Sequence, residues 1–139
     1  MASKINTVFV DTSMFKALID TKDDFHQDAR QIWERFTQER IRLATSNYIF
    51  DETLTLLRYR GGLPLALRFR ELIIDNVQYI KILRVTTSDE ANAWEWFVKD
   101  WSKLSFTDCV SFALMTRIEL SRVATFDNHF KRAGFLVEK

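Results

Sequence analysis

Two aspartates stand directly behind apolar runs: Asp11 after Val8–Val10 in TVFVDTS, and Asp127 after residues 123–126 in VATFDNHF. Two more acids occupy positions on helical patterns where charge is unexpected. In TSNYIFDETLTLLRYR, Glu52 shares the apolar stripe of Ile49, Thr53 and Leu56, whereas Asp51 faces outward with Asn47, Thr55 and Arg58. In KLSFTDCVSFALM, Asp108 lies in the first turn of the most apolar helical segment of the chain. Each acid has a local explanation. Asp11 and Asp127 can cap the helices that follow them, Asp108 can complement a helix dipole with Ser105 or Thr107 as cap, and Glu52 can reach an arginine. As a group they require more, because converging carboxylates repel one another and a buried unpaired charge is strongly unfavourable. A hard divalent cation, Mg²⁺ or Mn²⁺, is the partner that oxygen ligands of this kind suit.

The elements that must position these acids alternate along the chain. Strands are expected at 5–10, 41–45, 77–85, 121–126 and 134–138. Helices are expected at 13–19, 24–39, 47–59, 64–75, 88–100 and 107–119, with a short helical turn after Asp127. Gly61–Pro64 separates two of the helices. In the helix 88–100, Trp94, Phe97, Val98 and Trp101 have the spacing of one buried face, and Trp96 falls off it. That leaves Trp96 either packed on a neighbouring element or at a contact surface. Alternation of this kind predicts an α/β fold with a mostly parallel sheet of about five strands, covered on both faces. Ligands in such sheets bind beyond the C-terminal strand ends, where Asp11 and Asp127 lie.

The chain has 139 residues, the size of one domain spanning 1–139. A single cysteine, Cys109, forms no internal disulfide, which suits a reducing cytoplasm. No leader or membrane-spanning segment is expected, since the first apolar run is short and broken by Asp11. The net charge of +1 neither announces nor excludes a nucleic-acid partner.

Other chemistries lack their residues. Gly61 and Gly62 are followed by Leu-Pro, so there is no phosphate-binding glycine loop. Cys109 has no activating histidine and reads as a packed thiol. His26 and His129 lack zinc-ligand spacing, and His129 reads as a surface residue, with contact to the leaving group as the second reading. Arg58, Arg60, Arg68 and Arg70 form a basic run; Arg58 and Arg60, at the far end of the Glu52 helix, are candidates for contacting a phosphate backbone.

VDTS, TSNYIFDETLTLL, SFTDCVSFALM and ATFDNHF, in that order and spacing, resemble the PIN-domain family, and within it the ribonuclease toxins of the VapC type. The resemblance covers nearly the whole chain. It implies a three-layer α/β/α fold and a metal-dependent nuclease centre of Asp11, Glu52, Asp108 and Asp127. In it, Asp11, Asp108 and Asp127 hold Mg²⁺ or Mn²⁺, and Glu52 completes the shell or orients the attacking water. Thr12, Ser13 and Thr125 match supporting hydroxyl positions, with Thr107 beside Asp108. Many relatives carry a further acid two positions after the last aspartate, where this chain has His129. The implied activity is hydrolysis of RNA by a toxin that pairs with an antitoxin and forms a homodimer. The same fold also serves RNA-processing nucleases without a toxin role and non-catalytic scaffolds that bind RNA or protein; the intact set of acids disfavours the scaffold.

Overall fold

The computed structural model describes residues 6–139, and the expected first strand therefore begins at Ile5 outside the described residues. The elements are β1 (Thr7–Val10), α1 (Thr12–Ile19), α2 (His26–Gln38), β2 (Arg42–Ser46), α3 (Asn47–Asp75), β3 (Ile80–Leu83), α4 (Thr87–Phe97), α5 (Phe106–Arg117), β4 (Arg122–Ala124), α6 (Asn128–Arg132) and β5 (Leu136–Val137). One five-stranded sheet has the order β3-β2-β1-β4-β5. Every pairing is parallel.

This order explains the burial of β1. Val8, Phe9 and Val10 are all fully buried, as expected for a central parallel strand covered on both faces. From β1 the chain moves outward through β2 to β3, then returns to β4 on the other side of β1. Right-handed crossovers in opposite directions put the intervening helices on opposite faces. Accordingly α1 packs with α2 and α3, and α4 packs with α5, giving a three-layer α/β/α fold. Phe15 meets Phe69 edge-on at 5.0 Å in the first helical layer, and Phe112 meets Phe130 at 4.9 Å in the second.

The expected break between helices 47–59 and 64–75 is a kink within α3. Gly62 has φ 74 and ψ −169, a conformation open to glycine, and Pro64 starts the second segment. The inward stripe of the first segment is Ile49, Thr53 and Leu57, with Leu56 only half-buried, one residue off the expected stripe.

The orientation of α4 differs from the sequence expectation. Trp94, Phe97 and Val98 are 54%, 39% and 72% exposed, so they do not form a buried face. The inward stripe is Asp89, Ala93 and Trp96, and Trp101 packs from the following loop. An ion pair sets this rotation. Buried Asp89 takes Nε and Nη2 of Arg117, on α5, at 2.7 and 3.0 Å, while also closing a capping box with Thr86. Trp96 therefore packs inward on a neighbouring element, 5.1 Å from Phe112 and 5.9 Å from Trp101, and is half-buried. Trp96→Ala is expected to destabilise the fold by about 2–3 kcal/mol. Trp94→Ala should cost less than about 1 kcal/mol. Urea unfolding compares the two, and equal losses would contradict this orientation of α4.

Among the described residues, no helix is long and apolar enough to cross a membrane.

Candidate active site

Because β1 and β4 are neighbours, the segments that leave their C-terminal ends are adjacent. This is the point where strand order reverses, the usual place for a site in an open parallel sheet. Asp11 leaves β1 with its backbone N–H donating to the Ala124 carbonyl at 3.1 Å. It is the N-cap of α1, and its Oδ2 accepts from Ser13 N at 3.3 Å and Ser13 Oγ at 2.8 Å. Thr125 Oγ1 donates to the same oxygen at 2.8 Å. Thr125 also accepts the Asp127 N–H at 3.0 Å, and Ser13 Oγ accepts the Phe126 N–H at 2.9 Å. Two hydroxyls thus lock Asp11 to the segment bearing Asp127. These hydrogen bonds to the Asp11 carboxylate all fall on Oδ2, while its carbonyl accepts from Met14 N and Phe15 N at 3.1 and 3.3 Å.

Strand β4 is shorter than its apolar run. It ends at Ala124, and Thr125 and Phe126 form the turn that delivers Asp127 as N-cap of α6. Asp108 enters from the opposite layer. Its Oδ2 accepts the Ser105 N–H at 3.2 Å, in a capping box that Ser105 Oγ completes by accepting the Asp108 N–H at 3.0 Å. Asp11 and Asp127 are N-caps and Asp108 is the third helical residue of a capping box, so all three carboxylates are fixed near positive helix ends.

Glu52 is half-buried on α3 and Asp51 exposed. Glu52 is near enough for its charge to act on Asp11 and Asp108. Thr12, on α1, accepts a hydrogen bond from Thr53, next to Glu52, at 3.3 Å. Thr107 lines the cleft beside Glu52 together with Tyr48 and Asp51.

The electrostatics of the acids match crowding. Burial pushes Asp11 up to about 6; the Ser13 and Thr125 hydrogen bonds oppose this, and the charges of Asp127 and Glu52 add to it. Burial, then the charges of Asp11 and Asp127, push Asp108 up to about 7. Carboxyls in this state bind protons where a cation would otherwise serve.

His129 belongs to the site, contrary to its reading as a surface residue. Its Nδ1 lies 2.9 Å from Asp127 Oδ1 and 3.5 Å from Asp108 Oδ2, and Nε2 lies 2.8 Å from the Ser102 carbonyl oxygen. Burial lowers its affinity for a proton, but the Ser102 carbonyl and the Asp127 charge outweigh this and raise it. The sequence held a signal: His129 stands two places after Asp127, at the position where many relatives of the resembled family carry a further acid. Ligand atoms of Asp108, Asp127 and His129 all lie within 4.8 Å of one another, and Nδ1 has no properly directed hydrogen bond, so the trio fits a cation.

Residues 8–136 match the PIN domain. The chain belongs to this family. The 23S rRNA-specific endonuclease VapC20 of Mycobacterium tuberculosis is 35% identical to it over 130 residues, covering 93% of this chain and 95% of the relative. A VapC ribonuclease of Archaeoglobus fulgidus is 31% identical over 124 residues, covering 87% and 77%. The crystal structure of Mycobacterium tuberculosis VapC20, described as a sarcin–ricin loop cleaving toxin, superposes with a TM-score of 0.81 at 34% identity over 93% of this chain and 96% of that one. VapBC2 from Rickettsia felis, crystallised with a promoter DNA fragment, reaches 0.68 at 12% identity over 95% and 97%, a likeness of fold alone.

In this PIN domain the two arginine candidates separate. Arg60 lines a cleft of about 690 Å³ that reaches Asp127 and His129. Arg58 is exposed earlier on α3 and does not line that cleft. Cys109 is fully buried, and burial followed by the Asp108 charge pushes its thiol up to about 11, so it is not a nucleophile.

Proposed function

We propose that this protein is a metal-dependent endoribonuclease, the toxin of a toxin–antitoxin pair. The observation that carries this reading is the convergence of Asp11, Asp108 and Asp127 at the β1–β4 edge, with Asp11 and Asp108 held above their ordinary range by burial and mutual repulsion. Asp11, Asp108 and Asp127 would hold Mg²⁺ or Mn²⁺, joined by His129 Nδ1. When bound, the cation supplies a Lewis acid that neutralises the phosphodiester and acidifies water.

The chain's own residues do the rest. Ser13 and Thr125 orient Asp11, and the capping box orients Asp108, so no reorganisation is needed as charge develops. Glu52, whose charge acts on Asp11 and Asp108, would complete the shell or orient the attacking water. Arg60, which lines the cleft that reaches Asp127, would hold a flanking phosphate, and the exposed Arg58 would contact a longer strand. Ribosomal RNA is the substrate class that similarity to the VapC20 endonuclease supports. The same reading includes an antitoxin, a homodimer and a cytoplasmic setting. The exposed Tyr59, Leu63, Leu67 and Ile74 of α3 offer apolar surface of the kind protein partners cover.

Purified protein is expected to cleave 23S rRNA with Mg²⁺ or Mn²⁺ and to stop with EDTA, read by sequencing RNA ends. Glu52→Gln should slow that cleavage by about 10²-fold. Asp51→Asn should leave it unchanged, because Asp51 is exposed. Cleavage that survives EDTA, or equal loss from both substitutions, would sink the reading.

A further inference from the structure

The loop 20–25, between α1 and α2, forms the wall of the cleft that reaches Asp127 and His129. It is held at several points. Lys22 N donates to Asp20 Oδ1 at 3.0 Å and Phe25 N to Asp23 Oδ1 at 2.8 Å. Lys16 pairs with Asp23, and His26 Nδ1 lies 2.8 Å from the Ala17 carbonyl oxygen. Phe25 ends this loop at the N-cap of α2, where a small polar residue would satisfy a free N–H; Phe25 makes no such bond. Neither does it join the core, being 46% exposed. One side of its ring lies on Phe126, with centroids 4.7 Å apart and planes 7° from parallel. Phe126 immediately precedes Asp127. Phe25 and Phe126 also border a second cleft that shares Asp127 and Asn128 with the first. They are therefore a ridge beside the acids, with Phe25 as its exposed cap.

A fixed loop that presents an aromatic ring beside a phosphodiester-cleaving site has one chemically matched occupant, the flat face of a nucleobase. Base–aromatic stacking tolerates any base and needs no hydrogen-bond partner. The same cleft is lined by Lys22, Arg60 and Lys103, cations suited to the backbone on either side of such a base. Of the acids that line it, Asp23 is paired with Lys16, while Asp24 and Asp127 lie on the same cleft.

We propose that Phe25 is the stacking platform for the nucleobase next to the scissile phosphate, with Lys22, Arg60 and Lys103 holding the adjoining backbone. This rests on the ribonuclease reading, but its test needs no cleavage. Phe25→Ala, Phe25→Leu and Phe25→Trp are made in the Asp108→Asn background. Each is titrated, with Mg²⁺ present, into a fluorescent single-stranded RNA 12-mer, and anisotropy is read. Phe25→Ala and Phe25→Leu should weaken binding about tenfold, and Phe25→Trp should restore it. Leucine keeps apolar contact with Phe126, so its loss isolates stacking from folding, and thermal melts of each variant confirm the fold. In a second series, one abasic nucleotide is moved along the 12-mer. The deficit it causes with Phe25 present should peak at one position and vanish with Phe25→Leu. Lys22→Gln and Lys103→Gln should each lower the salt dependence of binding, by about 0.7 in log–log slope. Equal binding with Phe25 present and with Phe25→Leu, a position-independent abasic deficit, or no binding of the 12-mer at all overturns the proposal. Phe25-dependent binding without any cleavage by the wild type would instead sustain the platform and remove the nuclease.

Discussion

Asp108→Asn is expected to cut RNA cleavage by about 10³-fold or more while making the metal-free protein harder to unfold. Both effects follow from one cause. Asp108 is buried among Asp11, Asp127 and Glu52, so its ionised form is opposed by burial and by three like charges. Asparagine keeps an oxygen to accept the Ser105 N–H and close the capping box, but removes the repulsion and a cation ligand together. Asp11→Asn should behave in the same way, since its amide oxygen can still accept from Ser13 and Thr125. Its release of strain is on the order of 3 kcal/mol at pH 7.5. Thermal melts in EDTA and single-turnover cleavage with Mn²⁺ check the two halves separately. A variant that cleaves normally removes that residue from the centre. A variant that loses both activity and stability would mean the carboxylate is a structural partner whose charge the fold requires.

The melting temperature of the metal-free protein should fall by about 10 °C between pH 5 and pH 7.5. Asp11 and Asp108 bind their protons more tightly folded than unfolded, with folded values of about 6 and 7 against an ordinary value of 3.8. The stability they contribute is intact below about pH 3.8, declines as pH rises through the folded values, and is lost above them. His129, raised as well, contributes in the same direction. Asp23, Asp89 and Glu138 are shifted down, each against the opposing effect of its own burial: Asp23 by Lys16, Asp89 by Arg117 and Glu138 by Arg122 and Arg35. Their contribution is lost only toward acid pH, so a window from pH 5 to 7.5 isolates the cluster. Saturating Mn²⁺ or Mg²⁺ should flatten the slope, because the cation takes the place of the protons, and its affinity should rise with pH. Calorimetric melts across this range, with EDTA and with each ion, decide it. A metal-free melting temperature that stays flat or rises from pH 5 to 7.5 would show that the acids are not crowded as described.

What the sequence determined by itself is what depends on neighbours along the chain. The alternation of apolar runs with helical stripes sets an α/β fold. The placement of Asp11 just past β1, and of Asp108 in the first turn of α5, is likewise local, because strand ends and caps are written within a few residues. The side of α3 that carries Glu52 was legible to within one residue, since Ile49 and Thr53 fix the phase even though Leu57 replaces Leu56 in the core. Tertiary structure alone decided the rest. That β1 lies between β2 and β4, bringing Asp11 beside Thr125 and Asp127, is a matter of strand order, which no periodicity encodes. The rotation of α4 was set by the Asp89–Arg117 ion pair with another helix, which outweighed the aromatic spacing of Trp94, Phe97 and Trp101. His129 entered the site because α5 and α6 converge there, bringing Asp108 to an imidazole that sequence could place only near Asp127. Helix rotation and strand order depend on the summed packing of distant elements, so a local pattern can name the acids without showing what surrounds them.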